Sequence, residues 1–150
     1  GGMMGKTTMV CGPPGAGKST YARQQMGDGD MLIDLDDIKG ALSSRPGHQC
    51  PASITEFAIA AMEAVIDALS RPNTVPHVWL VTCKPHREDR ATLARELDAE
   101  VVVLAVPVID CMRHLKADDT RVNVPAWVGL ADKWWKDYRP NEGDRVLRDW

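Results

Sequence analysis

One glycine-rich loop near the start of the chain constrains the fold more than any other feature. A short β-prone run at residues 6–11 leads directly into it, and a helical pattern follows over residues 19–26. The loop has the spacing G-x-x-x-x-G-K-S, met by Gly12, Pro13, Pro14, Gly15, Ala16, Gly17, Lys18 and Ser19. Glycines let the backbone curl with its N–H groups inward, and the helix that follows directs its positive end to the same point. The sequence therefore predicts an α/β fold with a phosphate-binding site.

The residues at the end of this loop indicate which phosphate compound it holds. Lys18 is positioned to reach the β- and γ-phosphates of a nucleotide, and the hydroxyl of Ser19 can bind Mg²⁺. Thr20 completes the set of predicted ATP-binding residues. ATP and Mg²⁺ are thus the predicted ligands, with a chance glycine-rich turn or an inactive loop as the alternative.

The remainder of the chain alternates between apolar runs and helical patterns. Strands are predicted at residues 6–11, 31–35, 75–81 and 101–106, and helices begin near residues 19, 36, 53, 88, 109 and 125. Short loops between them predict a parallel sheet with helices on both faces, a three-layer sandwich. We expect residues 1–150 to form a single domain, with Gly1-Gly2 a cloning remnant and residues 139–150 a polar tail.

Composition limits the classes of partner and compartment. The net charge of −3 provides no global basic field for nucleic acid, although a local groove for a strand end remains compatible with it. No apolar run approaches membrane-spanning length, which predicts no membrane partner. Four scattered cysteines without a paired spacing predict reduced thiols and a cytoplasmic location. The sequence leaves the oligomeric state open.

Three carboxylates follow the second predicted strand. Asp34, Asp36 and Asp37 lie where the carboxyl ends of parallel strands place ligands, at the same edge as the glycine-rich loop. Transfer of a phosphoryl group to a hydroxyl uses a carboxylate that orients the hydroxyl and accepts its proton. The alternative is that Asp36 or Asp37 caps the next helix. We favour a functional role because capping alone does not account for three carboxylates.

A cationic segment precedes the last predicted helix. It contains Arg113, His114, Lys116 and Arg121, and arginines on such a segment can stabilise charge on a transferred phosphate. The alternative is a solvated charged loop, which Asp118 and Asp119 favour. The sequence alone does not choose between the two.

Two further groups of residues could contact nucleic acid, but each has an alternative interpretation. Trp127, Trp134, Trp135 and Tyr138 lie at helical spacing on the last helix, and we interpret them as packing residues rather than base-stacking platforms. A basic cluster that could line an acceptor groove, or equally form a solvated helix face, comprises Lys84, His86, Arg87, Arg90 and Arg95.

These residues together resemble the phage and bacterial polynucleotide 5′-kinase family of P-loop proteins. The likeness includes the loop with Tyr21-Ala22-Arg23, the Asp36-Asp37-x-Lys39 element, the helix opening at Pro85 to Arg90, the arginine-bearing segment and Val124-Pro125. The resemblance implies a P-loop NTPase fold with a four-stranded parallel sheet in the order 2-3-1-4 and a lid that carries arginines.

The resemblance also implies a role for each matching residue. Lys18 and Ser19 would serve ATP and magnesium, Asp36 would be the general base, and Arg113 and Arg121 are the candidate lid arginines. Lys39 stands where the family usually has an acceptor-binding arginine, so it keeps the charge but loses the bidentate fork.

The chain departs from the family pattern after the third strand. Thr82-Cys83-Lys84 replaces an Asp-Thr-Asn-like element, so a carboxylate that could hold magnesium through water is missing there. Asp34 could compensate as a metal ligand, and Lys84 could contact a phosphate of the acceptor.

The resulting hypothesis is an ATP-dependent phosphotransferase that acts on the 5′-hydroxyl end of DNA or RNA. The first alternative is a kinase of a nucleotide, a nucleoside, another small metabolite or a modified DNA base, which the acidic charge and Lys39 favour slightly. The second is a P-loop NTPase that hydrolyses its nucleotide. Such proteins usually have an apolar strand ending in Asp, whereas the run at residues 78–82 ends in Thr82.

Overall fold

The computed structural model describes residues 5–148 and contains one five-stranded parallel sheet. Its strands are β1 (Lys6–Cys11), β2 (Met31–Ile33), β3 (His77–Thr82), β4 (Glu100–Leu104) and β5 (Arg145–Leu147). Their spatial order is β2-β3-β1-β4-β5. The predicted α/β class, the parallel sheet and the order of the first four strands are confirmed. Gly1-Gly2 and Trp150 lie outside the described residues.

Six α-helices connect the strands and form the outer layers. They are α1 (Lys18–Gln25), α2 (Leu35–Ser43), α3 (Ala52–Ala68), α4 (Arg87–Leu97), α5 (Val108–Ala117) and α6 (Val124–Asp137), and a 3₁₀ turn at Gly47–Gln49 lies between α2 and α3. None of the helices within residues 5–148 has both the length and the hydropathy needed to cross a membrane.

The predicted number of strands, four, was wrong, because the sheet contains a fifth strand. The segment that we predicted as a polar tail contributes β5, whose Val146 and Leu147 pair in parallel with Val103 and Leu104 of β4. The amide of Ala105 donates to the carbonyl of Leu147 at 2.9 Å and extends this pairing beyond β4. A three-residue strand with two apolar side chains is too short to show a recognisable periodicity in the sequence. Its position is specified instead by pairing with the edge of β4.

Helices pack on both faces of the sheet. One face carries α1 and α5, whose Ala22 and Cys111 pack with Val10 and Val102 of the central strands. The other face carries α3 and α4, which approach Met9 and Leu80. The central strands are therefore covered on both sides, which explains why residues 9–11 of β1 and residues 101–104 of β4 are apolar without alternation.

The aromatic residues of α6 fix the loops that follow two strands. Trp134 is buried and donates from Nε1 to the carbonyl of Cys83 at 2.7 Å, and Trp135 donates to the carbonyl of Val106 at 2.9 Å. Tyr138 stacks on Trp134 with ring centroids 4.7 Å apart. These three residues pack as we expected, and they also position backbone at the carboxyl edge of the sheet.

Arg90 does not belong to a basic surface. Its side chain is fully buried and pairs with Asp144 at 2.8 Å, and it donates to the carbonyls of Lys84, Pro85 and Arg139. A buried guanidinium requires such partners, because leaving its charge unpaired is costly. Arg90 thus joins the loop after β3 to the segment that leads into β5, and it is unavailable to an acceptor groove.

Candidate active site

The glycine-rich loop joins β1 to α1 at the carboxyl edge of the sheet and packs closely against α5. Gly15 and Gly17 have φ values of 81° and 87°, in the left-handed region that favours glycine. A Cβ atom at Gly15 would lie 2.8 Å from the carbonyl oxygen of Cys111. His114 donates from Nδ1 to the carbonyl of Gly15 at 2.6 Å. The loop conformation is therefore fixed both by its glycines and by α5.

Lys18 is the first residue of α1, and its ammonium group folds back over the loop. Nζ donates to the carbonyls of Gly12 and Pro13, both at 2.9 Å, and lies 3.6 Å from Sγ of Cys83. Because the first amides of α1 lack partners within the helix, they and this ammonium form a positive site. That arrangement suits an anion at the mouth of the loop.

Ser19 and Asp34 bring two oxygen ligands together beside the loop. The hydroxyl of Ser19 donates to Oδ2 of Asp34, whose residue is only 6 % exposed. A hydroxyl and a carboxylate are hard oxygen donors of the kind that Mg²⁺ prefers. The donor set therefore fits the predicted metal, and Asp34 is placed to supply the carboxylate that the loop after β3 lacks.

Asp34 is also the residue that caps α2. Its Oδ1 accepts from the amide of Asp36 at 2.9 Å, so the alternative in which Asp36 or Asp37 caps this helix was wrong. The reason is geometric, because Asp34 is the last extended residue before the helix and its side chain reaches the second helical amide. Neither of the following aspartates is needed for capping.

Asp36 and Asp37 face different surroundings. Asp37 accepts two hydrogen bonds from Nη2 of Arg23, at 2.9 and 2.8 Å. The side chain of Asp36 is half exposed and lines the same cavity as Lys18, with Lys39 Nζ 3.6 Å from its carboxylate. Asp36 is therefore the carboxylate of the pair that is accessible from the nucleotide loop.

Arg121 lies on the segment between α5 and α6, above the cavity. It pairs with Asp118 at 3.4 Å, and its guanidinium carbon lies 4.3 Å from the ring centroid of Trp127. Its Nη1 atom is buried and has no hydrogen-bond partner among residues 5–148. Such a donor favours a ligand that can accept from it. A hydrogen bond from the hydroxyl of Thr120 lowers the pKa of Asp118, so this carboxylate stays charged beside Arg121.

Arg113 lies outside the cavity that Arg121 lines. Its side chain is 70 % exposed, pairs with Asp110 of its own helix at 3.0 Å and does not line the cavity. Lys39 likewise lies outside the lining, held toward Asp36. Of the predicted lid arginines, the structure brings only Arg121 to the nucleotide loop.

One cavity of about 1030 Å³ connects these groups at the carboxyl edge of the sheet. The predicted site residues that line it are Pro14, Gly15, Gly17, Lys18, Ser19, Thr20, Asp34, Asp36, Lys84 and Arg121. Gly12, Pro13 and Ala16 also belong to the loop but are buried and do not line the cavity. The chain thus provides one continuous compartment for a nucleotide and a second substrate.

No pattern in the sequence predicts the contact that holds the segment of Arg121. His48 and Gln49, in the 3₁₀ turn, both approach the carbonyl of Thr120, His48 with Nε2 at 2.9 Å. The edge of the His48 ring also faces Trp127, with centroids 6.2 Å apart. Trp127 was interpreted only as a packing residue, but it lines the cavity beneath Arg121. No local motif joins residues 71 positions apart, so only the folded chain reveals this contact.

The fold and the loop together define a P-loop nucleotide-binding domain. A family described as an AAA domain matches residues 8–119. The chain belongs to this AAA domain family. The match includes the loop, the aspartates after β2 and the helix that carries Arg113, and it ends just before Arg121.

Solved structures share this fold at low sequence identity. A chain of the Pnkp1/Rnl/Hen1 RNA repair complex is 18 % identical over 90 % of this chain, with a TM-score of 0.61, and this chain spans 46 % of its length. Shikimate kinase from Acinetobacter baumannii, solved with shikimate, is 17 % identical, with coverages of 96 % and 83 % and a TM-score of 0.51.

A third similar structure is the tunicamycin resistance protein of Deinococcus radiodurans. It is 14 % identical, with coverages of 95 % and 85 % and a TM-score of 0.53. A search of curated proteins found no significant match. At these identities, the structural likeness establishes the fold alone.

Proposed function

We propose that this protein is a P-loop kinase that transfers the γ-phosphate of ATP to a hydroxyl group of a second substrate. The observation that carries the proposal is the convergence of Lys18, Asp36 and Arg121 on one cavity. This arrangement supplies a cation for the phosphates, a carboxylate for the acceptor and a guanidinium for the transferred group. A protein that only hydrolyses ATP has no need for an accessible acceptor compartment.

The proposed reaction assigns each of these residues one task. The carboxylate of Asp36 accepts the proton of the acceptor hydroxyl while that oxygen bonds to the γ-phosphorus. The bond from this phosphorus to the β–γ bridging oxygen breaks, and ADP leaves. Lys18 and the loop amides orient the phosphates, and Arg121 stabilises the negative charge on the transferred group. Ser19 and Asp34 would hold Mg²⁺, which contributes positive charge near the phosphate oxygens.

Two classes of acceptor are compatible with this proposal. The resemblance to polynucleotide 5′-kinases favours the 5′-hydroxyl of DNA or RNA, and one similar chain belongs to an RNA repair complex. Shikimate kinase, also similar in fold, favours a small acceptor. We propose that the whole chain acts as one cytoplasmic kinase domain in either case.

Incubation with γ-labelled ATP and Mg²⁺ tests the proposed reaction. A mixed pool of hydroxyl compounds, with a 5′-hydroxyl oligonucleotide and nucleosides as separate samples, should yield a labelled organic phosphate and stoichiometric ADP. The control is the same reaction without an acceptor, which should release inorganic phosphate slowly. Rapid acceptor-independent hydrolysis, with no labelled product in any sample, would instead favour an NTPase.

A further inference from the structure

We infer that the acceptor of the proposed kinase is a small molecule with an uncharged, largely apolar body, rather than a nucleic-acid strand. The inference rests on the proposed function and specifies the substrate class of the same site. The inference is based on the apolar residues that line the cavity beyond the phosphate loop. It is also based on the ion pairs made by cations that a strand would otherwise contact.

Apolar side chains from three elements line part of the cavity. They are Leu80 of β3, Met62 and Ile66 of α3, and Leu93 of α4. We call this part, together with Leu35, the apolar chamber. It is continuous with the phosphate loop, so a molecule in it can present a hydroxyl to Asp36. Small-molecule sites combine such apolar walls with a few polar groups.

Several cations expected along a strand-binding groove are engaged by carboxylates. Arg90 is buried with Asp144, Arg23 pairs with Asp37, and Lys39 is directed toward Asp36.

The lysines and arginines that line the cavity, among the described residues, are Lys18, Lys84 and Arg121. The proposed function assigns Lys18 and Arg121 to ATP, which leaves Lys84 for a strand. A nucleic-acid strand needs several cations along its phosphates.

The charges that do reach the cavity also disfavour a polyanion. Asp34, Asp36 and Asp118 all line it, and together they offset Lys18, Lys84 and Arg121. Once a nucleotide triphosphate occupies the loop, the compartment carries excess negative charge. An uncharged acceptor enters without adding to that repulsion.

A neutral fluorescent probe, N-phenyl-1-naphthylamine, tests the apolar chamber directly. It would be titrated into the full chain with a non-hydrolysable ATP analogue and Mg²⁺ present, so that the phosphate loop is already filled. We expect saturable binding of one probe per chain. A Met62→Lys variant, which introduces an ammonium into the chamber, should weaken that binding by about tenfold or more.

The matched control is Ile59→Lys, on the same helix at a position that is 38 % exposed. It should bind the probe as the unaltered protein does. Leu93→Gln provides a second variant, on α4 rather than α3, in case Met62→Lys unfolds the domain. Circular dichroism identifies unfolding in each variant.

Two results would overturn the inference. One is probe binding that is non-saturable, or equally strong in the folded Met62→Lys or Leu93→Gln variant. The other is transfer of γ-labelled phosphate to a 5′-hydroxyl dodecamer above background. Failure of the proposed function is distinguishable, because it would appear either as an absence of binding by the ATP analogue or as ATP hydrolysis with no labelled product from any acceptor, whatever the probe does.

Discussion

An Asp36→Asn variant is expected to bind ATP and Mg²⁺ normally but to transfer phosphate about 10²–10⁴-fold more slowly than the unaltered protein. The amide keeps the size of the carboxylate and loses its capacity to accept the acceptor proton. Asp36 is the accessible carboxylate of the pair and faces the cavity of Lys18, and capping of α2 by Asp34 does not involve its side chain. The variant should therefore fold and bind nucleotide.

The measurement compares the rate of γ-phosphate transfer and the affinity for ATP in two variants. Asp37→Asn is the matched control, because Asp37 pairs with Arg23 outside the cavity. It should retain nearly the full transfer rate. Equal losses in both variants would assign the effect to the charge of the helix terminus rather than to proton transfer. Unchanged transfer in Asp36→Asn would remove Asp36 from the proposed role.

The second large effect is expected at Arg121. An Arg121→Gln variant should lose about 10³–10⁵-fold in transfer rate, the range associated with an arginine that stabilises a transferred phosphate. The buried Nη1 atom of this residue, which lacks a partner in the described part of the chain, supports such a role, since a ligand oxygen would satisfy it. Trp127 and Asp118 orient the guanidinium in advance, which limits the reorganisation that phosphate transfer requires.

Arg113→Gln is the informative comparison for this prediction. Arg113 was an equal candidate on sequence grounds, but it is exposed and paired with Asp110. Single-turnover measurements, which isolate the transfer step, should show a large loss for Arg121→Gln alone. If Arg113→Gln were the more damaging change, the segment between α5 and α6 would have to rearrange in the working enzyme.

The sequence predicted the parts of this molecule that depend on local patterns. The loop at Gly12–Ser19 has a fixed spacing, and its position between a strand and a helix is visible in the chain itself. Alternating apolar runs and helices likewise predicted four parallel strands, because short connections leave few other arrangements. The accessibility of Asp36 agrees with a prediction from strand-end placement, although its proposed role remains to be tested.

Features that depend on distant contacts could not be predicted. The strand at Arg145–Leu147 forms because the edge of β4 is available and because Arg90 pairs with Asp144. Arg90 itself appeared to belong to a basic cluster, since burial of an arginine depends on partners far along the chain. The contact between His48 and Thr120 likewise depends on residues that are distant in sequence, 72 positions apart.

The central claim is that the loop around Lys18 binds ATP with Mg²⁺, and calorimetric titration of the folded protein measures this directly. We expect a one-to-one heat of binding that depends on Mg²⁺ and is strongly reduced when Gly15→Val forces a side chain toward Cys111 and Leu115. The contradicting result is the absence of any such heat when the unaltered protein, shown by circular dichroism to be folded, is titrated to high nucleotide concentration. That result would contradict the assignment of a nucleotide site, and with it the proposed kinase.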